Sequence, residues 1–207
     1  MTALDLPRPV ADSRSTPAGE AILAAATDLF YERGITVTGV DLLAERAGTT
    51  KRTIYQRFGS KEGVIVAYLR RRIRSWQLHL LAELDASPPL PPPLAAATVF
   101  EEARRWTRDP ARGCSFQIAW AEVGARPGPA AELLREEKAW MRALFTSIAG
   151  EAELGAVLHQ LYEGALVTTA STGDAEEMGS AQVTAQTLLR TRRAGLHDLH
   201  WSNIQRS

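Results

Sequence analysis

The stretch Ala47 to Gly63, AGTTKRTIYQRFGSKEG, threads cations with hydroxyls and aromatics. Lys51, Arg52, Arg57 and Lys61 supply charge, and Thr49, Thr50, Thr53, Tyr55 and Gln56 supply short-range hydrogen-bonding groups. Within it TKRTIYQRF reads as a short helix that Thr50 can cap, with Gly48 ending the helix before it and Gly59-Ser60 breaking the chain after it. The first turn of such a helix offers unpaired N–H groups and the positive end of its dipole, both suited to phosphate. Lys51 and Arg52 in that turn can reach phosphates or guanine edges. Ile54 and Phe58 fall on the opposite side and would hold the helix on its support. Ser60 and Lys61 open a further helix, a second terminus able to meet a phosphate. Taken alone, a basic cluster is most often a solvated helix face; its placement decides otherwise.

The elements around it supply that placement. Ile22, Ala25, Ala26, Leu29 and Phe30 recur at helical spacing, and Arg33-Gly34 reads as a stop. Thr38 to Asp41 forms a weak capping box, with Asp in place of Glu or Gln, opening a short helix with Val40, Leu43, Ala44 and Ala47 on one face. Two short helices broken at Ala47-Gly48-Thr49 have the proportions of a helix-turn-helix, whose second helix enters the DNA major groove.

From Gly19 to Arg72 the sequence resembles the DNA-binding domain of the TetR family of bacterial transcriptional regulators. The resemblance rests on Ala26, Phe30 and Gly34 in the first helix, on Ala47, Gly48, Thr49, Thr50, Tyr55 and Phe58 in the turn and recognition helix, and on Lys61-Glu62 after them. Thr49 stands where an aliphatic residue is usual, Thr50 where Ser is commoner, Arg52 in place of a frequent Gly, and Gly63 weakens the start of the fourth helix. The resemblance implies DNA contacts from Thr38, Thr49, Thr50, Lys51, Arg52, Thr53, Tyr55, Gln56, Arg57 and Lys61. It also implies a homodimer on a near-palindromic double-stranded operator, and a repressor released when a small molecule binds the helical body.

The whole chain is consistent with that division. Its net charge is +0, but residues 1–75 carry 12 Lys/Arg against 8 Asp/Glu, and residues 76–207 carry 12 against 16. A basic end on an acidic body suits an anionic partner at one end. Hydrophobic residues make up 45% of the 207 and charged residues 23%, as in ordinary globular chains. No apolar run approaches the ~20 residues of a membrane helix, so no membrane partner is expected. The single cysteine, Cys114, suits a reducing, cytoplasmic setting. There is no Gly-x-Ser-x-Gly, no phosphate-cradling glycine loop and no Cys/His metal spacing. No cofactor, metal or catalytic residue is therefore expected.

Helical periodicity with almost no strand alternation predicts an all-α fold: a flexible arm over 1–17, the helix-turn-helix domain over 18–75, a helical ligand-binding and dimerisation domain over 76–195, and an unassigned tail over 196–207. Body helices are expected near 94–108, 114–123, 128–149, 152–170 and 175–193, with SPPLPPP at 87–93 as a rigid connector between the basic third and the body. RGCSFQIAWAEVG (112–124) and LHQLYEGALVTTA resemble TetR-type ligand domains, the latter the helix that forms the dimer. Leu154, Leu158, Leu161 and Ala165, with Val183 and Leu188, are the expected dimer face, and Gly155 and Gly164 would allow close helix approach. Trp106, Phe116, Trp120 and Phe145 could converge on a cavity, with Gln117, His159 and Tyr162 orienting a neutral or weakly polar ligand. Their bland reading is core packing. Cys114 reads as a packing residue, and His159 and Glu163 as a polar pair without a third ligand for a metal. Two alternatives stay open: a DNA-binding dimer controlled by a protein partner or by no ligand, and a helical enzyme.

Overall fold

The structure, a computed structural model, describes residues 4–11, 16–85, 89–107 and 114–193. The tail expected over 196–207 lies outside these residues. Among the described residues all regular structure is helical, as the periodicity predicts.

Helix α1 (Pro17–Arg33) starts at the Thr16 cap and ends at Gly34, whose φ of 98° a side chain would strain. Helix α2 (Val40–Arg46) is capped by Gly39 without a side-chain bond. Thr38, expected to cap it, is instead buried, its hydroxyl donating to the Gly34 carbonyl at 2.6 Å. Helix α3 (Lys51–Phe58) is capped by Thr50, whose Oγ1 accepts from the Thr53 N–H at 3.2 Å. Ser60 caps α4 (Lys61–Leu84) through the Gly63 N–H at 3.0 Å. Gly63 has a packing reason to be glycine: a Cβ there would collide with the Phe58 carbonyl. Ile22, Leu29, Phe30, Leu43 and Ile54 close the core of this head.

At 24 residues α4 is about 36 Å long. It packs on α1 and α3 in the head and on α5 and α7 in the body. The connector between the two is therefore α4 itself. The proline stretch, expected in that role, leads instead from α4 into α5 (Pro92–Trp106). The body continues with α6 (Ser115–Ala119), one π-helical turn (Trp120–Gly124), α7 (Pro129–Ala149), α8 (Ala152–Thr172) and α9 (Glu176–Arg193). Phe100, Phe145 and Tyr162 form an aromatic centre with ring centroids 5.5–6.0 Å apart. Gly155 lets α8 lie directly on Thr146 of α7.

Residues 4–11, expected to belong to a flexible arm, are laid along the body. The Val10 N–H donates to Gln77 Oε1 at 2.7 Å, and Arg74 donates to the Val10 carbonyl. The Trp140 indole donates to the Arg8 carbonyl at 2.8 Å and Ser147 to that of Asp5. Leu4, Leu6 and Val10 pack on the apolar core. The sequence signal missed was this alternation of apolar residues among the prolines. Deleting residues 1–11 uncovers the buried Gln77 amide and the Trp140 indole. The expected loss of stability, read by denaturant unfolding, is about 1–3 kcal/mol.

Candidate nucleic-acid interface and body cleft

Ile54 is the one fully buried residue of α3, and it fixes which face of that helix points outward. That outward face carries Lys51, Arg52, Tyr55, Gln56 and Arg57. Tyr55 is 48% exposed, unusual for so large a ring. The side chains of Arg52, Tyr55, Gln56 and Arg57 make no hydrogen bond or ion pair with other described residues. Two cations, an amide and a phenol stand unpaired on one convex helix face, the chemistry that reads groove edges and phosphates. Thr50 and Thr53 share a hydroxyl contact of 3.0 Å at its N-terminus. Thr49 is half-buried in the turn.

Three of the expected residues stand differently. Lys51 pairs with Asp41 of α2 at 2.7 Å, an exposed contact that phosphate could exchange at little cost. Thr38 is 0% exposed, so its side chain is part of the head's interior rather than its contact surface. Lys61 donates to the Thr36 carbonyl at 3.0 Å and faces Glu122. Its ammonium pKa is lowered, because desolvation outweighs the attraction of Glu122. The arginine run of α4 is also turned to internal tasks. Arg71 pairs with Glu20, and Arg72 donates to Ser115 and lies over the Trp106 and Phe116 rings.

In the body the expected ligand residues divide. Gln117, Trp120 and His159 share a cleft of about 550 Å³ with Arg135, Lys138, Glu163 and Val167. Its walls include the half-exposed Trp120 and Val167, and the Arg135 guanidinium lies 5.5 Å from the Trp120 ring centroid. Lys138 bonds Glu163 at 2.9 Å. Burial lowers the Lys138 pKa, but Glu137 and Glu163 outweigh it and hold the ammonium protonated well above its ordinary range. With that cation internally paired, the cleft is largely apolar with one free guanidinium at its edge. Glu163 gives its carboxylate to Lys138, and His159 Nε2 lies 3.4 Å from the same carboxylate.

Trp106, Phe116 and Tyr162 line a separate cavity of about 20 Å³, room for one water, beside Arg72, Trp76 and Cys114. Phe145 lines neither space; it is 0% exposed and belongs to the core. Burial pushes the Cys114 thiol pKa up despite the nearby Lys138 charge, which keeps it a protonated packing group. Arg135, Lys138 and Val167 were missed because helices distant in sequence bring them to Trp120, and no spacing rule links them.

The expected dimer stripe of α8 is rotated. Leu158 and Ala165 face the subunit's own core, and Leu154 and Leu161 are half-buried against it. Helix α8 is apolar almost all round, so periodicity could not say which face turns inward. The exposed face carries Val157, Gln160, Gly164 and Thr168, and α9 beside it exposes Val183, Thr184, Thr187 and Leu188. This surface carries no charge at these positions, and nothing lies within 4 Å of a Cβ placed at Gly164.

Comparison with known proteins agrees with this architecture. Residues 22–68 match the model of the bacterial regulatory proteins of the tetR family. The HTH-type transcriptional activator FasR of Mycolicibacterium smegmatis is 40% identical over 52 residues, 25% of this chain and 24% of its own length. An HTH-type transcriptional repressor of Mycobacterium tuberculosis is 39% identical over 67 residues, 30% of this chain and 36% of its own. These matches thus span about a quarter to a third of the curated relatives. Solved structures extend the likeness to the body. A TetR-family transcriptional regulator from Streptomyces coelicolor matches 84% of this chain and 95% of its own, with 25% identity and a TM-score of 0.75. A tetR-type regulator from Streptomyces avermitilis matches 86% and 98%, with 26% identity and a TM-score of 0.72. With the head matched in sequence and both halves matched in fold, the chain belongs to the TetR family of transcriptional regulators.

Proposed function

We propose that the protein is a homodimeric repressor that binds a near-palindromic operator and is released by a small molecule in the body cleft. The observation that carries this reading is the outward face of α3, where Arg52, Tyr55, Gln56 and Arg57 stand unpaired on a helix anchored by Ile54. A convex, cationic helix face without internal partners suits the major groove. The uncharged α8–α9 surface suits a twofold interface, in which two helices from each subunit meet. The repressor sign rests on the name of the M. tuberculosis relative. FasR, named an activator, makes a transcription readout necessary. Cytoplasmic placement follows from binding DNA, and no helix among the described residues is long and apolar enough to cross a membrane.

The proposed ligand is neutral or weakly polar, because Lys138 and Glu163 pair with each other, Arg135 lies over the Trp120 ring, and the surface the cleft exposes is mostly apolar. A volume near 550 Å³ lies within the usual range for small-molecule sites. A ligand releases DNA only by preferring the DNA-incompetent state, and a tenfold release needs ~1.4 kcal/mol of difference. A mobility shift on the DNA upstream of its own reading frame tests the reading. The expected result is a discrete complex of one dimer per site, with reporter transcription rising when the gene is deleted. Light scattering that shows a monomer at micromolar concentration would contradict the dimer.

Trp120→Ala is expected to reduce the thermal stabilisation given by whichever neutral compound a screen identifies, while the discrete complex still forms with at most a few-fold loss of affinity. Measured in parallel, Tyr162→Ala should lower folding stability, since Tyr162 is 4% exposed and packs on Phe100 and Phe145.

A further inference from the structure

A carboxylate of the body holds a loop of the head. Glu122, in the π-helical turn, accepts the Ile35 N–H on Oε1 at 2.9 Å and the Thr36 N–H on Oε2 at 2.6 Å. Residues 35 and 36 lie in the loop between α1 and α2, so the clamp holds the chain that leads directly into the helix-turn-helix. Lys61 takes the Thr36 carbonyl from the other side. Gly34 is shaped for the same contact: its φ is 98°, and a Cβ there would sit 2.9 Å from Glu122 Oε1. Partial burial raises the Glu122 pKa, but the bonds from Thr36 and Ile35 and the charge of Lys61 outweigh it and hold the carboxyl below its ordinary range. An open space of about 490 Å³ lined by Ile35, Lys61, Glu122 and Arg126 surrounds the clamp.

The same turn forms a wall of the body cleft. Trp120 lines the cleft, and two residues later Glu122 holds the loop. At the far end of the turn Gly124 lies flat against the Trp120 ring, and a Cβ there would strike it. π-helical turns are rare and are found frequently at functional sites.

We infer that Glu122 is a positioning residue for operator binding, and that it couples the Trp120 wall of the cleft to the α1–α2 loop. The inference rests on the reading of the cleft as the regulatory site. A change in the Trp120 wall shifts the turn, and the turn gives up or tightens its hold on the amides of residues 35 and 36. Those amides preorganise the head, so loosening them adds an ordering cost to DNA binding.

Amide hydrogen exchange on the full chain reads the coupling without DNA or ligand. In Glu122→Ala the Ile35 and Thr36 amides should exchange at least tenfold faster, with Ile54 unchanged as a marker of an intact head. Glu122→Gln keeps the size but offers one acceptor for two donors, and should give a smaller increase confined to the same amides. Trp120→Ala should speed the same two amides at least threefold, whereas Val167→Ala, in the same cleft but on α8, should not. Binding of upstream DNA by Glu122→Gln should weaken at least fivefold. Unchanged exchange at residues 35 and 36 in both Glu122 variants would overturn the clamp. Equal effects of Trp120→Ala and Val167→Ala would overturn the coupling. If exchange follows the expectation while upstream DNA is not bound by the unaltered protein, the clamp stands and the operator reading of the head fails instead.

Discussion

Replacing Arg52 and Tyr55 together with alanine should lower operator affinity on the order of 100-fold while moving the melting temperature very little. Both side chains project from α3 into solvent without internal partners, so their removal opens no cavity and strands no buried group. Exposed substitutions of this kind usually change folding stability by no more than about 0.5 kcal/mol. On DNA each residue that reads a base is worth about 1–3 kcal/mol, and the pair occurs twice in a dimer. Base preference should relax together with affinity if Arg52 reads an edge, and only affinity should fall if it meets phosphate. Fluorescence anisotropy with a matched and a scrambled duplex separates the two. The neighbouring Ile54→Ala is the control in the opposite sense: at 0% exposure it should destabilise the head by about 2–5 kcal/mol and lose DNA binding through unfolding.

Phe145→Ala is expected to destabilise the protein by about 3–5 kcal/mol, the range for truncating a large, fully enclosed ring. Phe145 is 0% exposed, with Phe100, Tyr162 and His159 rings at centroid distances of 6.0, 5.5 and 6.2 Å. The packing is dense, and no relaxation short of repacking α5, α7 and α8 would fill the space left. Denaturant unfolding monitored by tryptophan fluorescence gives the number. A loss under 1 kcal/mol would place Phe145 on a collapsible cavity, as its type and spacing first allow. A loss in the expected range confirms a structural ring.

The head was legible because its signals are local. Thr50 capping α3, Ser60 capping α4, Gly34 and Gly59 at positive φ, and apolar residues at helical spacing each act within a turn or two. The body helices were legible for the same reason, within a residue or two of their ends. What could not be read were relations between helices. Thr38 looked like a cap and is a buried hydroxyl bonded backward to Gly34, a choice made by packing on α1. Leu158 and Ala165 looked like a dimer face because α8 is apolar on most sides, and its packing on α7, docked at Gly155, and on α9 decides which side is enclosed within the subunit. The aromatics of the body belong to three environments, a large cleft, a water-sized cavity and a solid core, yet their sequence spacing is alike. Glu122 had no signal at all: it is a charged residue in a helical stretch, and its role exists only because α4 carries the loop of the head to it.

The most direct measurement is the affinity of the purified protein for a duplex from its own upstream region, taken over a range of salt concentrations. With ~4 phosphate contacts from each subunit, log affinity should fall against log salt with a slope near −7. The footprint should show two protected half-sites one helical turn apart or a multiple of it. Equal affinity for a scrambled duplex of the same length, or a slope near zero, would contradict the account that α3 presents a DNA-reading face.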